Sequence, residues 1–135
     1  MQERWKLPFM IASTSRLLYG LGCMLAPQQL AGRLAPTVKG ADSRMNLRGF
    51  GGAQTGIALH TLTFATTPER ARSALRLNAL VDAFDAAVSI LEIRDRGRID
   101  EVAAGGVVVN VVGLACWTTA ALALRAAAAD RSSLS

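Results

Sequence analysis

The segment VAAGGVVVNVVGLACWTTAALAL, residues 102–124, contains no charged residue. A helix that crosses the hydrocarbon core of a bilayer needs about 20 predominantly apolar residues. A helix on the outside of a soluble bundle carries polar residues every three to four positions, and this segment has no such side. The segment therefore predicts a membrane-spanning helix.

Three further apolar segments have about the same length and lie at residues 8–27, 49–66 and 74–93. The longest connection, residues 28–46, includes a brief amphipathic stretch at 30–34 that we expect to lie at the membrane surface. At 135 residues the chain has room for one domain. The prediction is an all-α, antiparallel four-helix transmembrane bundle with a short interfacial helix after the first span.

Composition excludes some classes of protein. With 51% hydrophobic and 19% charged residues the chain is too apolar to be disordered. A soluble helical bundle remains the alternative, and Arg16, which splits the first apolar segment, argues against a cleaved signal peptide. The net charge of +5 comes from basic residues that flank the apolar segments, a pattern that fits anionic lipid headgroups. No nucleic-acid motif is present, so nucleic acid is not a predicted partner.

We expect the chain to cross a membrane several times, and the expected membrane is a bacterial inner membrane. Lys and Arg residues are balanced between the two sides of the predicted bundle. The positive-inside rule therefore predicts no orientation.

The third apolar segment, NALVDAFDAAVSILEI, carries three carboxylates. Its polar residues are spaced by four, three, four and three positions, which places them on one side of a helix. They are Asn78, Asp82, Asp85, Ser89 and Glu92. We expect this side to face the other helices, with Glu92 in a surface ion pair beside Arg94 and Arg96.

Each of the other segments has one stripe of small or polar residues. The stripes are Ser13, Arg16, Gly20 and Pro27 in the first segment, Gly49, Gly52, Gly56, His60 and Thr63 in the second, and Gly106, Asn110, Gly113 and Trp117 in the fourth. Small residues at this spacing let helix backbones approach closely, and polar groups can form hydrogen bonds across the contact. The stripes are predicted to meet inside the bundle.

Polar groups from all four segments are predicted to reach one depth near the bilayer centre: Arg16, His60, Asp82 and Asn110. A charged residue there costs roughly 2.5–3.5 kcal/mol on insertion scales, and pairing Arg16 with Asp82 or Asp85 offsets part of that cost. One carboxylate is then left to hold a proton or to bond His60, Arg48 or water.

The candidate site residues follow from this depth estimate. The possible catalytic residues are Asp82, Asp85 and His60, and the ligand-binding or ion-pair residues are Arg16, Arg48, Asn78 and Asn110. A lone histidine without a second histidine or a thiolate nearby favours a hydrogen-bonding role over metal or haem ligation. No metal site and no cofactor are predicted.

The stretch RGFGGAQTG, residues 48–56, has the glycine content of a phosphate-binding loop. It lacks the full dinucleotide spacing and no strand precedes it, so a glycine face for helix packing is the better interpretation. Arg48, at the membrane edge before this face, could reach an anionic headgroup.

Three motifs resemble those of a family of small bacterial and fungal integral membrane proteins of unknown function. They are SRLLYGLGCMLAP in the first segment, RMNLRGFGGAQTGIAL at the start of the second and ALVDAFDAA in the third. The resemblance spans most of the chain, from about Arg16 to Leu124, and it implies a four-helix membrane bundle. It implies no activity, and it directs attention to Arg48, Asp82 and Asp85.

Three classes of function fit the pattern. The first is a non-catalytic membrane protein that binds a lipid-like or isoprenoid-like amphiphile, or an accessory subunit of a membrane complex. The second is a membrane-embedded isomerase, cyclase or epoxide-opening hydrolase with Asp82 or Asp85 as general acid or base. In that enzyme Arg16 or Arg48 would hold the developing charge and His60 would relay protons.

The third class, proton-coupled transport, would require oligomerisation because four short helices leave little room for alternating access. The predicted partners are therefore a membrane lipid or hydrophobic small molecule, and either a membrane protein or a second copy of the chain.

Overall fold

The computed structural model describes residues 5–34, 41–99 and 101–132, and this part of the chain is entirely helical apart from short connections. The all-helical prediction is confirmed. The five helices are α1 (Lys6–Leu25), α2 (Pro27–Leu34), α3 (Ala41–Phe64), α4 (Pro68–Arg96) and α5 (Glu101–Ser132). A short helix does follow the first long one, as predicted.

The boundary between α1 and α2 is set by Pro27. Proline lacks an N–H donor, and its ring clashes with the preceding helical turn, so α1 ends before it. Ala26 leaves the helical conformation and its N–H bonds to the carbonyl of Gly22 at 2.9 Å. Pro27 then starts α2, and Leu30 packs back against α1 close to Gly22. The chain bends sharply at this point.

Helix α4 is longer at both ends than the predicted segment 74–93. Thr67 caps its N-terminus by accepting a hydrogen bond from the N–H of Arg70, and Pro68 occupies the first helical position. Gly97 ends the helix with a φ of 62°, a left-handed conformation that glycine adopts without a Cβ clash. Helix α3 likewise begins at Ala41, well before the predicted residue 49.

The four long helices pack in a bundle-like arrangement. The residues that meet between α1 and α3, and between α3 and α4, follow in opposite order along the two helices. Helix α1 packs on α3 and α5, and α4 packs on α5 and more sparsely on α3. The backbones of α1 and α4 make no contact within the described residues, so these two helices are diagonal to each other. Helix α2 lies against one end of α1 and α3.

An aromatic and alanine cluster fills the opposite end of the bundle. The rings of Trp5 and Phe9 meet edge to face at 5.9 Å, and those of Phe9 and Trp117 do so at 5.5 Å. Small side chains of α4 and α5 complete this cluster, with Leu124 beside them: Ala71, Ala74 and Ala120. Alanine lets α4 and α5 lie close together around the three rings.

The length and hydropathy of the described helices do not reproduce the predicted four membrane spans. Among the described helices, one segment, Val107–Ala126 of α5, is long and apolar enough to cross a membrane. Helices α1, α3 and α4 include polar and charged positions that lower their mean hydropathy. Whether these positions face neighbouring helices or the outside is decided by the packing.

Candidate functional site

A buried ion pair joins the two diagonal helices α1 and α4. Arg16 Nη2 donates to Asp82 Oδ1, and the two side chains are 8% and 5% exposed. The sequence allowed Arg16 to pair with Asp82 or Asp85, and the structure selects Asp82. Because the backbones of α1 and α4 make no contact, the long side chain of Arg16 bridges the distance between them.

Helix α5 supplies the second donor to the same carboxylate. Trp117 Nε1 donates to Asp82 Oδ2 at 2.7 Å, so each carboxylate oxygen accepts a hydrogen bond. The Arg16 guanidinium also lies 6.0 Å from the centre of the Trp117 ring. Three helices therefore converge on Asp82.

The room for this carboxylate comes from Gly113 of α5. A Cβ atom at Gly113 would collide with Asp82 Oδ2. Gly113 thus lies one helical turn before Trp117 and faces the same aspartate. A larger side chain at position 113 would displace the Asp82 carboxylate from its donors. Gly113 and Trp117 were predicted to share one interior stripe, and both contact Asp82.

The second central carboxylate, Asp85, is bonded by α3. Gln54 Nε2 donates to Asp85 Oδ2 at 3.1 Å, and Gln54 is buried. The expected partners of the remaining carboxylate were a proton, His60, Arg48 or water, and Gln54 was not among them. The amide bonds Asp85 without adding a charge to the interior.

A third polar contact lies on the other side of Asp82 along α4. Asn78 Nδ2 donates to Thr61 Oγ1 of α3 at 2.8 Å and to the carbonyl of Ala74 at 2.8 Å. Asn78 and Thr61 are both completely buried. This contact and the Gln54–Asp85 bond together tie α3 to α4, where the two helices otherwise meet sparsely.

The predicted stripe of α3 was wrong. Its residues are at or near the outer surface: Gly49, Gly56, His60 and Thr63 are exposed and Gly52 is half-buried. The buried stripe is Gly51, Gln54, Ala58 and Thr61, spaced by three, four and three. These four small or polar residues have helical spacing, as the predicted stripe does. The sequence therefore contained two possible interior stripes for α3.

His60 therefore lies apart from the aspartates. It is exposed, and its ring stacks on Phe64 of the same helix at 4.9 Å. The expectation that His60 joins the central polar groups is corrected, because α3 is rotated so that Thr61 faces α4 instead.

The remaining predicted residues have different positions. Glu92 pairs with Arg96 on the exposed end of α4, in line with the expected surface ion pair. Asn110 is half-buried on α5. Arg48 is exposed and lies away from the Asp82 network, near the bend between α1 and α2.

Helices α1 and α3 meet where two glycines face each other. A Cβ on Gly51 would lie 2.6 Å from the carbonyl oxygen of Gly20, and a Cβ on Gly20 would lie 2.7 Å from the N atom of Thr55. Real side chains do not fit at these distances. The backbone contact is therefore possible only with glycine at both positions.

Among the described residues, two of the surface cavities lie near the bundle's helix contacts. One, of about 350 Å³, lies at the α1–α2 bend and is lined by Leu25, Pro27, Gln28, Gln29, Arg44 and Arg48. The other, of about 180 Å³, is a largely apolar cleft between α4 and α5, with Trp117 on its wall and Arg125 at its edge. Asp82 and Asp85 line neither cavity.

The geometry defines what the central polar network can do. Asp82 is held by two donors and enclosed by Gly113, whereas Arg16 Nη1 and Asn78 Oδ1 are buried without a partner in the described part of the chain. Within the same residues, no group of three or more His, Cys, Asp or Glu side chains could hold a metal ion. The network links α1, α3, α4 and α5 through Asp82 and Asp85.

Comparison of the chain with protein-family models, curated proteins and solved structures finds no match. The resemblance to the family of small membrane proteins therefore rests on its three motifs alone.

Proposed function

We propose that the chain is a non-catalytic, multi-pass membrane protein that binds an amphiphile from the bilayer. The bilayer is that of the bacterial inner membrane, as expected from the sequence. The observation that carries the proposal is the distribution of polarity. Polar and charged side chains are buried between the helices, and many large apolar side chains are exposed on the outside.

The outer side of the bundle supports this proposal. Large apolar side chains are exposed along three helices: Leu7, Met10, Ile11, Leu18 and Leu25 on α1, Leu77, Leu80, Phe84, Val88 and Leu91 on α4, and Val108, Val109, Val111, Val112 and Leu122 on α5. Water-soluble monomers rarely expose continuous apolar areas of this kind. Lipid tails would cover them without cost.

The interior supports it as well. The buried polar or charged residues are Ser13, Gln54, Thr61, Asn78 and Asp82, whereas much of the buried apolar cluster consists of alanine. Only 17% of the most apolar window of α5 is buried within the chain, which is not the behaviour of a core helix in a soluble protein. Ionisable residues inside a membrane bundle face the interior and pair with one another, as Arg16 and Asp82 do.

The packing also explains why α1, α3 and α4 fall short as spans by composition. Their polar residues include Arg16, Gln54 and Asp82, which lower the mean hydropathy of each helix, yet face other helices rather than lipid. Hydropathy averaged along a helix does not distinguish an interior residue from an outer one. A helix with one polar side can therefore be a span in a bundle although it would not be stable in lipid alone.

A non-catalytic role is favoured over the enzyme alternative by the surroundings of the aspartates. Asp82 accepts hydrogen bonds at both oxygens, and neither cavity reaches it. His60 is on the outside, so it cannot complete an acid–base pair with Asp82. An amphiphile can bind from the bilayer without any contact to this network.

The topology can be tested with single cysteines. Cys23 and Cys116 are first replaced by serine, and cysteine is then introduced at Thr66, between α3 and α4, or at Arg98, after α4. A maleimide that cannot cross membranes is added to intact cells or oriented vesicles. Four spans put the two positions on opposite sides, so one is labelled and the other is not until the membrane is opened. A single span formed by α5 would put both on the same side, and that result would overturn the proposal.

The binding role can be tested by native mass spectrometry of protein extracted gently from its own membrane. A retained amphiphile of defined mass supports the proposal, whereas a bare protein bound to another polypeptide supports the accessory-subunit alternative. Turnover of a hydrophobic substrate that is lost in Asp82→Asn, with folding and ligand binding intact, would establish the enzyme instead.

A further inference from the structure

The cavity at the α1–α2 bend brings together polar side chains from two separate parts of the sequence. Arg44 and Arg48 come from the beginning of α3, and Gln28 and Gln29 come from the first turn of α2. Leu25 and Pro27 complete its lining. The bend at Ala26 is what places α2 beside α3 and so creates the cavity.

The donor groups of the cavity favour an anionic ligand. Arg48 is exposed at the cavity wall, and Arg44, four residues before it, lies on the same side of α3. Guanidinium and amide N–H groups are donors, and the Arg48 guanidinium with the amides of Gln28 and Gln29 provides a donor set of the kind that a phosphate group binds.

The apolar neighbours point to a ligand with a hydrocarbon part. Leu25, on the cavity wall, is 77% exposed, and Met24 and Met45 are exposed near it on α1 and α3. In the proposed four-span topology this end of the bundle is at a bilayer surface, where α1 ends and α2 begins. Acyl chains would lie along the exposed side chains while the headgroup enters the cavity.

We infer that this cavity binds the phosphate headgroup of an anionic membrane phospholipid, with Arg48 as the charged ligand and Gln28 and Gln29 as additional donors. This inference rests on the proposed function and names the ligand class and the site. The cleft between α4 and α5 is a weaker candidate, since Arg125 is the single charged residue among the described residues that line it.

The test uses the full chain purified in a mild detergent and native mass spectrometry. Phosphatidylglycerol and diacylglycerol with the same acyl chains are added separately, and the fraction of protein that retains one lipid is measured. The wild type is expected to retain phosphatidylglycerol and to lose diacylglycerol. Arg48→Gln should weaken phosphatidylglycerol retention at least about tenfold, as expected for the loss of a charge-assisted hydrogen bond.

The matched control is Arg72→Gln, because Arg72 is an exposed arginine at the opposite end of the bundle. The Arg72→Gln variant has the same net charge as the Arg48→Gln variant, and it should retain phosphatidylglycerol as well as the wild type does. Gln28→Leu provides a second, uncharged variant and should weaken retention several-fold. Circular dichroism of each variant verifies that the helices are intact.

Each other outcome has a defined meaning. Equal retention of the two lipids, or equal effects of Arg48→Gln and Arg72→Gln, would overturn the headgroup site while leaving the membrane topology unaffected. Displacement of the phospholipid by an equal concentration of inorganic phosphate would assign the cavity to free phosphate and overturn the lipid assignment. A protein that stays monodisperse without detergent and retains neither lipid would overturn the proposed function itself.

Discussion

Gly20 of α1 and Gly51 of α3 are in backbone contact, and each occupies the space that a Cβ on the other would need. A Cβ on Gly51 would lie 2.6 Å from the Gly20 carbonyl oxygen and 2.7 Å from Cys23 Cβ. Both neighbours belong to helix α1 and cannot move independently. Helices α1 and α3 can therefore come this close only because Gly20 and Gly51 each have a hydrogen atom in place of a side chain.

The first prediction concerns this contact. Gly51→Ala should force α1 and α3 apart and lower the free energy of unfolding in detergent by about 1–3 kcal/mol, the usual cost of overpacking. The measurement is thermal or denaturant unfolding followed by circular dichroism.

Gly52→Ala is the matched control, because a Cβ there meets nothing within 4 Å. It should leave the stability unchanged or raise it, since alanine favours a helix by about 1 kcal/mol over glycine. Equal destabilisation by the two substitutions would contradict the close approach.

The second prediction concerns the buried ion pair. Asp82→Asn leaves the charge of Arg16 without a counter-charge and should cost about 3–5 kcal/mol of stability. Arg16→Met combined with Asp82→Asn should cost less than the sum of the two single substitutions, because the double variant has no buried charge. The free energies of unfolding of the four proteins form a double-mutant cycle.

The control for the cycle is Arg96→Gln, which breaks the exposed Arg96–Glu92 pair. That pair is nearly half exposed on both sides, and its loss should cost well under about 1 kcal/mol. Strict additivity of Arg16→Met and Asp82→Asn would show that the two residues do not interact.

The third prediction concerns the indole of Trp117. Trp117→Phe keeps a ring against Phe9 and removes the donor to Asp82 Oδ2, so one buried oxygen loses its partner. The expected loss is about 1–3 kcal/mol. Trp5→Phe is the comparison, since Trp5 is equally buried and contacts Phe9 but does not bond to the carboxylate. If Trp5→Phe proved as destabilising, the hydrogen bond would have no special role.

The fourth prediction concerns the contact of α3 with α4 through Thr61. Thr61→Val keeps the shape of the side chain and removes the hydroxyl that accepts from Asn78. In the proposed membrane bundle such an interhelical hydrogen bond is worth about 0.6 kcal/mol on average and about 1.7 kcal/mol at most, so the loss should fall in this range.

Thr63→Val tests the same chemistry on the outside, where the hydroxyl bonds to carbonyls of its own helix. It should have no measurable effect in the same unfolding assay. A larger effect of Thr63→Val than of Thr61→Val would mean that α3 is rotated differently from the structure.

Much of the arrangement could be predicted from helical spacing. The interior stripe of α1, with Ser13, Arg16 and Gly20, is buried, and in α4 Asn78 and Asp82 are buried with Asp85 half-buried. Each of these helices has one polar stripe and bulky apolar residues elsewhere, so the pattern has one solution.

Helix α3 has two such stripes, and the choice between them failed. Gly52, Gly56 and His60 have helical spacing, and so do Gly51, Gln54 and Ala58. Both sets consist of small and polar residues, and nothing along a single helix shows which set meets a neighbour. The contacts with Gly20 and Asp85 decide it, and they belong to other helices.

The sequence by itself determined that the chain is helical, that a short helix follows the first long one, and that charged residues share one side of α4. These properties depend on residues close together along the chain, through helical periodicity and through proline and glycine at the helix ends. Only the tertiary structure decided that Asp82 accepts hydrogen bonds from Arg16 and Trp117, that Gln54 donates to Asp85, and that His60 lies on the outside. Those outcomes depend on the rotation of each helix about its axis, which is set by close packing against partners distant in the sequence.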